Sequence, residues 1–125
     1  MKHTISDPLM ERYVNRWIRE NDNCYTFNDV MECIEKGQMQ SHVFGNTWVL
    51  TSIHDFPQRK TVHIDLVVGE LFDAIAAEPA VCKWAKGVRA DLITGSGRPG
   101  WDPFRSKVSG WQVKGRLYSK DLRDD

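Results

Sequence analysis

The nine residues Lys60–Val68, KTVHIDLVV, constrain this chain more than any other stretch. Val62, Ile64, Leu66 and Val68 alternate with Thr61, His63 and Asp65. A period of two sends successive side chains to opposite sides of an extended backbone, so the stretch predicts a half-buried strand. Before it, Asp55–Arg59 contains Pro57 and predicts a hairpin loop. After it the period changes. Leu71, Phe72, Ile75, Ala76, Val81, Cys82, Trp84 and Ala85 recur at helical spacing between Glu70 and Lys86. A strand feeding directly into a long amphipathic segment requires a sheet with a helical layer over it.

The rest of the chain fits that frame. Asp7-Pro8 predicts a helix start, and Leu9, Met10, Tyr13, Val14, Trp17 and Ile18 repeat on one helical face until the polar residues 20–23. Thr26 with Asp29 predicts a capping box for a second helix carrying Phe27, Val30, Met31 and Ile34, closed by Gly37. Gln40–Phe44 and Thr47–His54 predict two strands around a Gly45-Asn46 turn, and with Lys60–Val68 they make an antiparallel meander. Pro79 predicts a break in the following helix, with the main helix running from Pro79 to Lys86 and capped by Gly87. Ala90–Thr94 predicts a strand reached by helical crossover, hence parallel to Lys60–Val68. A short helix over Asp102–Val108 and a final strand, Trp111–Tyr118, complete the order. With 125 residues, the expectation is one α+β domain: a mixed, mostly antiparallel sheet with helices on both faces.

Composition excludes several function classes. The formal net charge is zero, so no global attraction to nucleic acid or anionic lipid is expected. Basic residues do exceed acidic ones from Lys83 onward, which keeps a small nucleic-acid-binding or host-interaction module as one alternative. Cys24, Cys33 and Cys82 form no CxxC pair, so neither a disulfide framework nor a zinc knuckle is expected. No run of about 18 apolar residues and no signal-peptide pattern appear, so the expectation is a protein that stays inside its producing cell or is packaged into a particle, without a membrane.

The glycine-rich stretch Gly95-Ser96-Gly97-Arg98-Pro99-Gly100 satisfies GxGxxG after a strand. A dinucleotide site also needs a long helix after the loop, and only about eight residues are helical here. Trp101-Asp102 stands where a phosphate-binding Lys-Ser/Thr would be. The glycines therefore predict a tight turn. Arg98 and Trp101 at its tip are the candidate interaction residues, since guanidinium and indole are enriched at protein interfaces.

The element order resembles the fold of the GNAT family of N-acetyltransferases, through Trp84-Ala85-Lys86-Gly87, the strand after it, the short helix, Gly110-Trp111 and Tyr118–Leu122. Gly97-Arg98-Pro99-Gly100-Trp101 followed by Gly110-Trp111 is similar to small GNAT-like proteins of tailed bacteriophages, including assembly and internal virion proteins. That resemblance implies phage virion or assembly proteins as partners. Acetyltransferases of the family cradle the pyrophosphate of acetyl-CoA with a Gln/Arg-x-x-Gly-x-Gly/Ala loop after the fourth strand. Here that place reads Val68-Gly69-Glu70-Leu71-Phe72-Asp73, with one glycine, no base and two acids. The family's tyrosine acid corresponds to Ser106, a poor proton donor. Asp65 or His63 matches the position of a general base for the amine. The resulting expectation is a degenerate acetyltransferase fold used as a non-catalytic scaffold, with no cofactor and no metal. The alternative is a CoA-dependent N-acyltransferase that takes acetyl-CoA through a divergent loop.

Overall fold

The computed structural model describes residues 7–97 and 101–123. Two helices, α1 (Asp7–Glu20) and α2 (Phe27–Glu35), precede strands β1 (Gln40–Phe44), β2 (Thr47–Asp55) and β3 (Lys60–Val68). Helix α3 (Leu71–Gly87), strand β4 (Leu92–Gly95) and helix α4 (Asp102–Lys107) follow. The sheet order is β1-β2-β3-β4, antiparallel except for the parallel β3/β4 pair. The fold is α+β, with a mixed, mostly antiparallel sheet.

Helices cover both sheet faces. On one, Met10, Val14 and Ile18 of α1 and Val30 of α2 bury against Trp48, Leu50 and Val68. Trp48 is fully buried, and its indole N–H donates to the Ser41 hydroxyl at 2.6 Å, so the ring brings no unmet donor into the core. α2 is held in register by the expected capping box: the Asp29 amide donates to the Thr26 hydroxyl, and the Asp29 carboxylate accepts from the Thr26 amide. On the other face, α3 lays Ala74, Ala77, Val81 and Ala85 against the sheet, with Trp84 edge-on to His42 at 4.2 Å.

Three features depart from the sequence expectation, besides α3 running through Gly87 and taking Val88 as its C-cap. First, Pro79 does not break α3, which runs unbroken from Leu71 to Gly87. Pro79 is exposed, while the small residues Ala77, Val81 and Ala85 flank it on the buried side, so packing holds both halves on one axis. Second, β3 carries a register shift opposite Leu50/Thr51: Leu50 pairs with Leu66 and Thr51 with Ile64, leaving Asp65 without a partner. An extra residue switches faces, so Leu66 and Val68 lie on the α1/α2 side while Val62 and Ile64 lie on the α3 side. The even alternation of the sequence thus serves two cores. Third, the expected strand Trp111–Tyr118 is absent among the described residues, where 111–122 carries no strand or helix. Gly115 interrupts its apolar face, and Val113 and Leu117 alone offer little to bury, so alternation without a ladder does not make a strand.

Candidate functional site

The bulge places the two acid–base candidates together. Asp65, the unpaired residue, and His63 share the α1/α2 face, with Nε2 of His63 3.9 Å from Oδ1 of Asp65. Ser52 pairs with His63 across the ladder, and its hydroxyl lies 3.1 Å from Nε2 of His54. Nδ1 of His63 is 2.8 Å from the Thr94 hydroxyl on β4. The His54 and His63 rings are 6.4 Å apart. His54 itself pairs with Thr61 in this half of the ladder. Sequence reasoning did not reach Ser52, Thr94 or the cleft beside Ser52. Only the register of two ladders joins these residues, and the bulge that fixes one ladder has no sequence signal.

Asp65, Ser52 and His54 of this cluster line one wall of a cleft of about 260 Å³, which Trp17 and Tyr25, their rings stacked 5.9 Å apart, also line. Burial raises the Asp65 carboxyl above its usual range, while the Ser52 hydroxyl and the two histidines only partly offset it. Its Oδ2 is buried and has no hydrogen-bond partner. Burial lowers the His63 pKa; Asp65 works against this and His54 adds to it. Desolvation therefore biases both groups toward their neutral forms. The pair is chemically able to accept and return a proton. Among the described residues, no group of three or more His, Cys, Asp or Glu side chains is arranged to hold a metal ion.

The turn into α3 has a different character. Gly69 sits at φ +154, and a Cβ there would stand 3.2 Å from Oγ1 of Thr47 and 3.5 Å from the Asn46 carbonyl. The glycine is needed for the close approach of the β1–β2 hairpin. The helix N-terminus beyond it carries Asp73 in its first turn, Glu70 at the cap and Phe72 almost fully exposed. Both carboxylates oppose an anion at a place where backbone N–H groups would otherwise favour one.

The interaction candidates fare unequally. Arg98 lies outside the described residues. Trp101 is half-buried at the start of α4, its ring close enough to Gly97 that a side chain there would touch it. The larger feature is the segment after it. Trp111 is tied to the body by its indole N–H, which donates to Glu78 at 3.1 Å, and by an edge contact with Phe104. Beyond it, Val113, Leu117, Tyr118 and Leu122 are 64%, 89%, 84% and 71% exposed. The signal was present in the sequence as an alternation whose apolar members find no cover. Comparison with protein-family models, curated proteins and solved structures finds no match.

Proposed function

We propose that this chain is a non-catalytic interaction module that assembles with other protein through its C-terminal segment. One observation carries the reading: four large apolar side chains between residues 113 and 122, Val113, Leu117, Tyr118 and Leu122, stand in solvent along one short segment. Exposed apolar runs of this kind mark contact surfaces. The acidic, single-glycine turn into α3 supports the same reading, because it is a poor cradle for a nucleotide pyrophosphate. The resemblance to tailed-phage GNAT-like proteins directs the proposal to a virion or an assembly intermediate, and so to phage virion or assembly proteins as partners.

The test is cosedimentation of the full chain with purified particles, beside the double variant L117E/Y118E. The reading expects the wild type to travel with the particles and the variant to stay in solution. Equal behaviour of the two would contradict it. A second reading, a CoA-dependent N-acyltransferase with Asp65 or His63 as base, is favoured by the cleft and the carboxyl held above its usual range. Acetyl-CoA separates the two. A specific ligand at a hundred times its dissociation constant adds about 2.7 kcal/mol, a rise in Tm of several degrees that the non-catalytic reading does not expect.

A further inference from the structure

If residues 113–122 are a contact segment, the proposed role on which this inference rests, the chain itself carries a surface that fits them. A groove of about 400 Å³ opens between α2 and the start of β1, walled by Met10, Met31, Ile34, Met39, Ser41 and Trp48. Its methionines have unbranched thioethers that adapt to whatever fills the space. β1 forms the adjoining margin. Its only strand partner is β2, so among the described residues it is a sheet edge, with backbone N–H and C=O groups free to pair. α2 above the groove is acidic, with Asp29, Glu32 and Glu35. The adjacent Lys36 is engaged by Glu32 at 2.7 Å. α1 reaches the groove only through Met10.

The segment has the matching properties. It carries no helix or ladder of its own. Val113 and Leu117 project to one side of an extended chain, with Gln112, Lys114 and Arg116 on the other. Lys114, Arg116 and Lys120 outweigh Asp121. The net positive charge of the segment complements the acidic α2, so the charges steer the approach without direct pairing. The other sheet edge, β4, is a poorer fit: it has four residues and is flanked by Arg59 and Arg89.

We propose that residues 112–122 of one copy add as a strand to β1 of a second copy, seating Val113 and Leu117 in the methionine groove and making a reciprocal, arm-exchanged dimer. Backbone pairing gives the attachment, and the two apolar side chains give the register. Reciprocity follows from each copy holding one arm and one groove.

The test uses the full chain in sedimentation equilibrium over a wide concentration range. Wild type is expected to dimerise. V113E/L117E blocks the arm and M31R blocks the groove, and each is expected to weaken dimerisation by about thirtyfold or more, as for a buried interface anchor. Mixed in equal amounts, the two variants are expected to form a heterodimer, since each retains what the other lacks. Should M31R melt below the wild type, E32R/E35R replaces it, because both glutamates are exposed. Its partner is then again V113E/L117E, and the expected result is weakened dimerisation in each alone and recovery in the mixture. A dimer indifferent to these changes, or no recovery in either mixture, overturns the proposal. A monomer whose amides 112–122 exchange freely also overturns it, yet leaves assembly with a different protein standing. A monomer whose amides there are protected overturns both.

Discussion

The centre of the sheet and the C-terminal segment obey the same alternation rule and reach opposite outcomes. In β2 and β3, alternating residues find partners on both sides and helices above and below, and Trp48, Leu50 and Val62 are wholly buried. In residues 111–118 the alternation is nearly as regular, yet Leu117 and Tyr118 stand almost bare. Periodicity states which side chains will share a face. It does not supply the surface that face needs. A strand is stable when a ladder and a covering layer both exist, and the C-terminal segment has neither within the described residues. The contrast separates a self-sufficient body from a segment whose apolar content is left for another surface.

Mutations sharpen that contrast, beginning with the body. Trp48→Ala removes the largest fully buried side chain and leaves the Ser41 hydroxyl without its donor. A loss of about 3–5 kcal/mol is expected, read from the midpoint of urea unfolding at constant m. Replacing Pro79 with Ala returns an amide donor to the middle of α3 at an exposed position. A gain of about 1–3 kcal/mol is expected, given that proline costs about 3 kcal/mol in a helix interior; an unchanged midpoint would mean that the helix has already adjusted around the ring. Thr26→Ala removes the hydroxyl half of the capping box, with an expected loss of about 1 kcal/mol in the same assay.

Asp65→Asn produces a slope with pH. The folded-state pKa of Asp65 is raised, so the native chain holds this proton more tightly than the unfolded chain does. Its penalty is absent below the ordinary value of 3.8 and grows as pH rises toward and through the raised one. The melting-temperature advantage of the variant should therefore be small in acid and larger at neutral pH. An advantage independent of pH would remove burial of the charge as its cause. The smallest effect belongs to the C-terminal segment. L117E/Y118E should leave the stability of the dilute monomer within about 0.5 kcal/mol of wild type, as surface changes do.

Much of the body is legible in the sequence because local signals and burial agree there. The Thr26/Asp29 box starts α2 where expected, and the 60–68 strand is bounded by its loop and by the change of period. The parallel return of β4 follows from its helical crossover. What escapes is set by distant parts of the chain. Val62 and Leu66 read as one face until the ladder with β2 inserts Asp65 between them. Pro79 reads as a breaker until Ala77, Val81 and Ala85 pin both halves of α3. His63 and Asp65 stand out as a pair in sequence, but Ser52, Thr94, Trp17 and Tyr25 join them only through tertiary packing.

The most direct measurement is amide hydrogen exchange on the full chain at a dilution where it is monomeric. The account predicts strong protection across β2 and β3 and near-random-coil exchange for residues 112–122. Protection of 112–122 equal to that of β2 in the monomer would mean that the segment is covered by its own domain, and would contradict the account.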